Sequence, residues 1–230
     1  MTGYFESRRE NMLAFVPVGV SSVLDVGCGA GGFLDALRAR EPAAHIEGIE
    51  ANEVAAATAR ATGFTVTTGS FPDTRPTRSQ YGCIVFNDVL EHMIDPWIAL
   101  RVAHRLMAPD GRLVVSVPNV RNLATLSMLI FRGEWSYVDA GVLDRTHLRF
   151  FTRSSLEQAI TDAGFAIETI VGAWPLTTWK MRVLHIVSRL GGASLYREAR
   201  HRQWNVTARP ALADRSPSDI RTATALTANP

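Results

Sequence analysis

The sequence predicts an α/β fold in which a doubly wound, mostly parallel sheet carries helices on both faces. Short apolar segments alternate with helical patterns along most of the chain, which is typical of βαβ units. Glycines follow the first apolar segment, and polar or small residues follow most of the others. The 230 residues fit one domain, which we place at 1–209.

The first half of the chain shows this alternation most clearly. Val23, Leu24 and Val26 form an apolar run of the kind found in strands buried on both faces. Asp95 and Pro96 supply a helix cap and a proline at the first helical position. In order, we predict an N-terminal segment 1–20 with a helix over 4–16, the first strand, a helix over Phe33–Arg40, a strand over His45–Glu50, a helix over Asn52–Thr62, strands over Phe64–Thr68 and Gly82–Asn87, and a helix over Pro96–Met107.

The second half of the chain is less regular. Pro109–Gly111 predicts a turn before the fifth strand. Thr152 is a cap candidate for a helix that ends at Gly164. The predicted elements are a strand over Arg112–Val117, helices over Asn119–Phe131 and Ser155–Ala163, a strand over Phe165–Gly172, a helical cover over 174–202, a strand over Gln203–Ala208 and a disordered tail over 210–230.

Composition restricts the class of protein. The hydrophobic fraction of 47% and the charged fraction of 20% are ordinary for a globular protein, and a net charge of +2 gives no reason to infer nucleic-acid binding. Cys28 and Cys83 lack the spacing of a metal site or a disulfide framework. The N-terminus lacks the apolar core of a signal peptide, and the longest mostly apolar run, Leu123–Phe131, is too short to span a bilayer. We therefore expect a cytoplasmic protein.

Polar or small side chains stand where five predicted strands end. They are Asp25, Glu50, Ser70, the pair Asn87 and Asp88, and Asn119. In a doubly wound sheet, ligands bind outside the carboxyl ends of the strands. We therefore expect these residues to line one crevice.

Two classes of cofactor fit the glycine turn. Gly27, Gly29 and Gly32 satisfy the dinucleotide pattern G-x-G-x-x-G, and Glu50 lies where a dinucleotide enzyme keeps its ribose-binding acid. Asp25 argues against a dinucleotide, because a buried carboxylate beside the turn would repel a pyrophosphate. S-adenosylmethionine fits better, since it presents an ammonium and a sulfonium and carries no phosphate.

At these residues the chain resembles the class I S-adenosylmethionine-dependent methyltransferases, which have a Rossmann-like fold. Their first motif is similar to Val23–Gly31, a D-x-G-x-G-x-G pattern, and Glu50 matches the acid that binds both ribose hydroxyls. The resemblance implies a seven-stranded sheet whose last strand inserts antiparallel beside the sixth. The cofactor-binding residues that it implies are Asp25, Gly27, Cys28, Gly29, Gly31, Glu50, Ala51, Ser70, Phe71, Asn87 and Asp88.

Two further segments refine the resemblance. Asn87–Pro96 and Asp144–Thr152 together look like a bacterial small-molecule subgroup that includes ubiquinone-type O-methyltransferases and enzymes encoded among surface-glycan genes. Gly69–Ser70 departs from the family pattern, since many relatives have an acid after the glycine. Asp73 is therefore an alternative contact for the adenine amino group.

Two histidines are candidates for catalysis. Methyl transfer is an in-line displacement at a sulfonium, so the protein must align the reactants and, for a hydroxyl acceptor, remove a proton. Histidine is the natural base near neutral pH. His147 lies between the fifth strand and the next helix, and His92 lies just after the fourth strand. Each can instead serve the structure by hydrogen bonding its own loop.

A metal site is an alternative interpretation of the segment after the fourth strand. Asp88, Glu91 and His92 stand at i, i+3 and i+4, which on a helical turn gathers two carboxylates and an imidazole on one side. Some ubiquinone-type relatives have a similar arrangement linked to a divalent metal. Three such residues often only cap a helix and bind water, so we predict no metal and keep this set as the alternative.

Candidate acceptor contacts lie in the segment that carries His147. Trp135 and Tyr137 offer aromatic surface, and Arg145 and Arg149 flank the histidine. Within the predicted helical cover, 179–190 forms an amphipathic helix with few basic residues. This helix either docks on the sheet or makes a peripheral membrane contact.

The sequence thus predicts methyl transfer from S-adenosylmethionine to a small-molecule acceptor, at the hydroxyl oxygen of a sugar, quinol or natural-product-like compound. An NAD(P)-dependent oxidoreductase and a non-catalytic S-adenosylmethionine-binding module remain alternatives. A nucleic-acid substrate is not favoured, because Asn87–Leu90 lacks the Pro-Pro-aromatic segment of amino-directed DNA enzymes and Cys83 lies too early to be a pyrimidine nucleophile. The acceptor, the base and the oligomeric state stay open.

Overall fold

A computed structural model of the chain describes residues 9–175 and 197–211. The strands are β1 (Ser22–Val26), β2 (His45–Glu50), β3 (Thr65–Thr68), β4 (Tyr81–Asn87), β5 (Met107–Pro118), β6 (Phe165–Pro175) and β7 (His201–Pro210). The helices are α1 (Glu10–Leu13), α2 (Gly32–Arg40), α3 (Glu53–Ala61), α4 (Pro96–Leu106), α5 (Leu123–Ser127) and α6 (Arg153–Asp162). A 3-10 turn at Leu90–His92 follows β4, and a π-helical turn at Met128–Arg132 follows α5.

The strands form one seven-stranded sheet in the order β3-β2-β1-β4-β5-β7-β6. The pairs among β1 to β5 are parallel, whereas β7 is antiparallel to both β5 and β6. This arrangement confirms the predicted doubly wound sheet with its antiparallel last strand. The chain moves outward from β1 to β3 and then returns to the other side of β1 with β4. The crevice expected at such a switch point therefore lies at the carboxyl ends of β1 and β4.

Helices cover both faces of the sheet. On one face, Leu24, Ile84 and Leu113 belong to a core cluster with buried residues of α4 and α6. On the other face, Val23 and Val85 pack with residues of α1 and α2. Successive strand residues point to opposite faces, so the uninterrupted apolar runs of β1 and β4 supply both cores.

Caps define where the helices begin. The side chain of Asn52 accepts a hydrogen bond from the Ala55 N–H, so α3 begins one residue later than predicted. Asp95 caps α4 in the same way through the Ile98 N–H, as predicted. Thr152 caps α6 and forms a capping box with Ser155, which confirms its predicted role.

Other predicted elements differ more from the structure. The apolar helix begins at Leu123 rather than Asn119, because the Asn122 side chain caps it and Asn119 forms a bridge with Phe151. The N-terminal helix predicted over 4–16 is helical only at Glu10–Leu13 within the described residues. The turn predicted at Pro109–Gly111 lies inside β5, as a bulge between the pairs Tyr81–Met107 and Cys83–Arg112.

The long connection between β6 and β7 lies mostly outside the described residues. Since β6 ends at Pro175 and β7 begins at His201, the connection spans 176–200 rather than 174–202. The amphipathic helix predicted over 179–190 falls outside the described residues, as does the predicted tail beyond residue 211. Within the described residues, every helix is too short or too polar to cross a membrane.

Candidate active site

The turn after β1 has backbone conformations that favour glycine. Gly27 has φ +74° and Gly31 has φ +91°, values that L side chains rarely adopt. The Gly27 N–H donates to the Ile49 carbonyl at 2.7 Å, which ties the turn to β2. A Cβ at position 27 would lie 2.5 Å from a methyl group of Val89. The glycine turn therefore packs directly against the segment that follows β4.

Glu50 connects the end of β2 to the glycine turn. Its side chain is 7% exposed, and one carboxylate oxygen accepts a hydrogen bond from the Gly29 N–H at 2.9 Å. The other oxygen accepts from the Asn52 N–H at 2.7 Å. These bonds fix the orientation of the carboxylate at the expected cofactor crevice. Each carboxylate oxygen has about two lone-pair positions, so each can still accept a hydrogen bond from a ligand.

Asp25 is a buried carboxylate beside this turn. It is 1% exposed and lies in β1 opposite Gly48 and Val85. Its Oδ1 has no hydrogen-bond partner among the described residues. Burial raises the pKa of Asp25 well above its usual range, and the charge of Glu50 raises it further. A cationic ligand here would favour the ionised carboxylate.

Asp88, the first residue after β4, is held by three side chains. Its backbone has φ +54°, and its Oδ1 accepts hydrogen bonds from the Ser116 hydroxyl at 2.8 Å and from the Gln203 amide at 2.5 Å. Its Oδ2 accepts from the Arg9 guanidinium. Gln203 in turn accepts a hydrogen bond from the Trp174 indole at 2.9 Å. This network ties the strand end to β5, β7 and the N-terminal segment.

Sequence reasoning missed Arg9, Ser116 and Gln203. The positive charge of Arg9 lowers the pKa of both Asp25 and Glu91, against the larger effect of burial. Arg9 therefore lies close to the acidic groups of the crevice although it is distant from them in sequence. Ser116 carried a usable signal, because it is a polar residue within the apolar strand β5.

Glu91, His92 and His147 form a compact cluster next to this network. One potential ligand atom from each side chain lies within 4.8 Å of the other two. The two imidazole rings meet edge to face with their centroids 4.7 Å apart. Glu91 is 1% exposed, and neither of its carboxylate oxygens has a hydrogen-bond partner among the described residues. The tertiary structure thus joins His147 to the Glu91–His92 pair across more than fifty residues of sequence.

Burial shifts the pKa values of Glu91 and His92. It raises the pKa of Glu91, and the charge of Asp88 raises it further. It lowers the pKa of His92 below its ordinary value of 6.5, and His147 lowers it further. His92 is therefore mainly neutral at pH 7, in the form that can accept a proton or bind a metal.

Backbone carbonyls orient both imidazoles. His92 Nδ1 lies 3.2 Å from the Thr146 carbonyl oxygen, and His147 Nδ1 lies 3.0 Å from the Val142 carbonyl oxygen. A carbonyl only accepts, so each Nδ1 carries a hydrogen, and the neutral form of each ring has its lone pair on Nε2. Asp144 forms the turn that presents His147, since its Oδ1 accepts hydrogen bonds from the Thr146 N–H and hydroxyl.

Phe150 connects His147 to two further aromatic residues. Phe150 lies 6.4 Å from His147 between ring centroids and 5.1 Å from Trp135 in an edge-to-face contact. Tyr137 lies 6.5 Å from Phe150 and is half exposed. The structure thus brings Trp135 and Tyr137 into one aromatic group with His147, and Phe150 is the member that sequence reasoning missed.

The two predicted acceptor-binding arginines make surface contacts. Arg145 forms an ion pair of 2.6 Å with Asp139, and both side chains are exposed. Arg149 donates to the carbonyl oxygens of Ile94 and Leu148, and its guanidinium lies 5.9 Å from the Trp97 ring centroid. Both arginines therefore lie near the segment that presents His147 but are held by groups at its surface.

The remaining predicted cofactor residues occupy different environments. The side chain of Cys28 lies in a core cluster with Leu34, so it can offer a ligand only its backbone. Phe71 is also part of the core, at 6% exposure. Ala51 and Ser70 are exposed at the rim. The amide nitrogen and oxygen of Asn87 are buried without a hydrogen-bond partner among the described residues.

Solved structures share the fold of this protein. The fold superposes with a TM-score of 0.61 on an S-adenosylmethionine-dependent methyltransferase from Mesorhizobium loti at 20% identity, over 90% of this chain and 99% of that one. It superposes with a TM-score of 0.64 on another from Archaeoglobus fulgidus at 18% identity, over 88% and 94% of the two chains. The fold is that of the S-adenosylmethionine-dependent methyltransferases.

Sequence comparison places the chain within this class. Residues 4–170 match the methyltransferase domain family, so the chain belongs to that family. The ubiquinone biosynthesis O-methyltransferase of Pseudomonas paraeruginosa is 30% identical over 162 residues, which cover 66% of this chain and 67% of that protein. The protein is an S-adenosylmethionine-dependent methyltransferase, which decides against the NAD(P)-dependent alternative.

Proposed function

We propose that this methyltransferase transfers the methyl group of S-adenosylmethionine to a hydroxyl oxygen of a small-molecule acceptor. The observation that carries the proposal is the pair of buried carboxylates, Asp25 and Glu50, beside the glycine turn. Two carboxyl groups beside this turn suit a cationic, phosphate-free cofactor better than a dinucleotide.

The cofactor site is proposed to use the two acids differently. The Oδ1 of Asp25 is buried without a hydrogen-bond partner among the described residues, so the ionised carboxylate would attract the ammonium and sulfonium of the cofactor. Glu50 keeps its backbone bonds to the Gly29 and Asn52 N–H groups while it accepts hydrogen bonds from the ribose hydroxyls. The Gly27 and Gly29 backbone allows close approach, and Ser70, or alternatively Asp73, contacts the adenine at the rim.

The acceptor is proposed to lie beside His92 and His147, between Val89 and the aromatic group. Trp135, Tyr137 and Phe150 supply apolar surface for its body. An imidazole Nε2 lone pair takes the hydroxyl proton while the oxygen forms its bond to the methyl carbon. The sulfur–carbon bond breaks, its electrons stay on sulfur, and S-adenosylhomocysteine leaves. The O-methyltransferase name of the Pseudomonas paraeruginosa relative supports an oxygen acceptor.

Location and contacts with other molecules follow from this proposal. A cytoplasmic location and a small-molecule acceptor are proposed together, because a site of this kind needs free access to both substrates. The segment 179–190 stays the proposed site of any peripheral membrane contact, which would suit an acceptor with a lipid tail.

Calorimetry with S-adenosylhomocysteine tests the cofactor assignment. We expect tight binding by the full chain, loss of binding in Asp25→Ala, and no displacement by excess NADH. Displacement by NADH would overturn the assignment. A panel of hydroxyl, amine and thiol compounds then tests the reaction by S-adenosylhomocysteine production. Methylation confined to amines or thiols would contradict an oxygen acceptor, and no methylation at all would favour the non-catalytic binding module.

A further inference from the structure

We propose that Asn87 and Asn205 form a subsite for a neutral hydroxyl group of the acceptor, other than the hydroxyl that is methylated. The acceptor is then a diol or polyol, such as a sugar ring, rather than a compound with a single hydroxyl. This assignment rests on the proposed function, because it adds a specificity contact to the same acceptor site. Two side-chain amides with buried, unpartnered polar atoms carry it.

Strand register places the two amides in one row across the sheet. Asn87 at the end of β4 pairs with Ser116 in β5, and Ser116 pairs with Asn205 in β7. Side chains at paired positions of neighbouring strands lie on the same face. Adjacent strands are about 4.8 Å apart, so the backbones of the two asparagines are separated by about 10 Å. One hydroxyl between the amides, or two on one ring, can contact both.

The core clusters identify the face to which the amides point. Trp204, the neighbour of Asn205 in β7, belongs to the core on the side of α4 and α6. Successive strand residues point to opposite faces, so Asn205 points to the side of α1 and α2. Asn87 points to the same side, because Val85, two residues before it in β4, packs there. Asp25 pairs with Val85, so the row of amides lies next to the cofactor crevice.

The unpartnered atoms define what a ligand has to supply. Asn205 is 3% exposed, and its Oδ1 is buried without a hydrogen-bond partner among the described residues. Both amide atoms of Asn87 are buried without a partner in the same part of the chain. Buried polar groups in folded proteins almost always have a partner. The unfilled positions here are two acceptor oxygens and one donor nitrogen.

The polar side chains around the two amides are committed elsewhere. The Ser116 hydroxyl donates to Asp88 Oδ1 at 2.8 Å and accepts from the Asp88 N–H at 3.0 Å. Gln203, two residues before Asn205 in β7, donates to the same Asp88 oxygen. These bonds hold Ser116 and Gln203 on Asp88, so the free positions of the two amides are left to a ligand.

The mixture of donor and acceptor positions selects a hydroxyl. A hydroxyl both donates and accepts, so it can pair with either end of the Asn87 amide and with the Asn205 oxygen. A carboxylate only accepts and leaves the amide oxygens unpaired, whereas an ammonium only donates and leaves the Asn87 nitrogen unpaired. Asp88 is already paired with Arg9, so that carboxylate is not available as the counterion of a cationic ligand.

The hydroxyl bound at this subsite is not the reacting one. Methyl transfer is proposed beside His92 and His147, whereas Asn205 lies in β7, which β5 separates from β4. The acceptor therefore needs at least two hydroxyls. The amide atoms are buried, as is the Oδ1 of Asp25 in the cofactor crevice, so cofactor and acceptor both enter when the covering chain moves aside.

Replacement by leucine distinguishes a ligand-binding amide from a structural one. Asn205→Leu should keep or raise the urea midpoint of the full chain, because it removes a buried group without a partner. Asn119→Leu is the matched control. Asn119 is also buried, but its amide donates to the carbonyls of Glu198 and His201 and accepts from the Arg121 N–H, each at 2.9 Å. Its replacement should therefore lower the midpoint.

Matched acceptors test the recognition itself. The probes are methyl glucopyranoside with its singly deoxygenated derivatives, and catechol with phenol, and S-adenosylhomocysteine production gives kcat and KM for each. Within a methylated pair, the wild type should prefer the compound with the additional hydroxyl by about 10-fold in kcat/KM, as expected for one hydrogen bond to a group otherwise left unpaired. Asn205→Leu should lose this preference through a higher KM, with unchanged S-adenosylhomocysteine affinity.

Three results overturn the subsite. The first is a fall of the urea midpoint in Asn205→Leu as large as that in Asn119→Leu, which would make the amide structural. The second is an unchanged hydroxyl preference in Asn205→Leu, and the third is loss of S-adenosylhomocysteine binding in that variant, which would place the amide in the cofactor site. If the wild type methylates no probe, the proposed function fails, and the urea midpoints still decide whether the amide is structural. Equal methylation of both members of every pair overturns only this inference.

Discussion

The backbone N–H of Gly29 donates a hydrogen bond of 2.9 Å to the side-chain carboxylate of Glu50. This bond joins the glycine turn after β1 to the end of β2. The acid proposed to bind the ribose therefore also holds the turn on which the cofactor would rest. Changes at either residue should affect cofactor binding more than the stability of the fold.

Glu50→Gln should weaken S-adenosylhomocysteine binding by about 10- to 100-fold, because hydrogen bonds to a charged acceptor contribute about 1.5–3 kcal/mol. Isothermal titration calorimetry measures the change. Glu53→Gln is the matched control, since Glu53 is an exposed acid in the first turn of α3. Equal S-adenosylhomocysteine affinities of the two variants would show that Glu50 does not contact the cofactor.

Asp25→Asn should stabilise the cofactor-free protein at pH 7, on the order of 1 kcal/mol, because the wild-type carboxyl must either take up a proton or bury a charge on folding. Burial raises the pKa of Asp25 above its unfolded value of 3.8, so the wild-type carboxyl costs nothing below that pH. Its cost grows as pH rises from the unfolded pKa toward the folded pKa and is constant at higher pH. Urea unfolding at pH 4 and pH 7 checks this, and an advantage of the variant that shrinks at higher pH contradicts it.

Wild-type affinity for S-adenosylhomocysteine should rise with pH across the range in which ligand-free Asp25 loses its proton. The ligand ammonium favours the ionised carboxylate, so binding releases a proton wherever free Asp25 is still protonated. Calorimetry in buffers of different ionisation enthalpy detects that proton. Asp25→Asn should bind S-adenosylhomocysteine more weakly and with an affinity that does not change with pH over this range. If Asp25→Asn kept the wild-type pH profile, the released proton would come from another group.

Gly27→Ala should destabilise the protein by about 1–3 kcal/mol more than Gly19→Ala. Both glycines have similar positive φ angles, +74° and +73°, so the conformational strain is matched. A Cβ at Gly27 would lie 2.5 Å from Val89, whereas nothing lies within 4 Å at Gly19. Urea unfolding compares the two variants, and Val89→Ala in the Gly27→Ala background should recover part of the loss. Equal losses of stability in Gly27→Ala and Gly19→Ala would show that backbone strain accounts for the effect and that the contact with Val89 does not contribute.

His147→Gln should lower kcat by about 10²–10⁴-fold while leaving S-adenosylhomocysteine affinity within a factor of about two. The reason is that His147 acts on the acceptor hydroxyl and the cofactor site uses other residues. Single-turnover kinetics on an acceptor identified by the panel measures the step. His45→Gln controls for general effects of losing a histidine, and full activity in His147→Gln would exclude a role in proton removal.

Most of the framework could be predicted from local patterns. The apolar runs of β1, β2 and β4, the caps at Asp95 and Thr152, and the glycine turn all depend on residues close in sequence. The start of the helix at Leu123 could not be predicted in this way, because a bridge between Asn119 and Phe151 holds the preceding residues in a non-helical conformation.

The sequence by itself determined the sheet, its glycine turn and the acids beside that turn, because periodicity and backbone preference act over a few residues. Only the tertiary structure decided which distant groups share the crevice. It pairs Asp88 with Arg9 and Gln203, and it places His147 with Glu91 and His92. The contact between Asp88 and Gln203 arises because β4, β5 and β7 lie side by side in the sheet, which no local sequence spacing indicates.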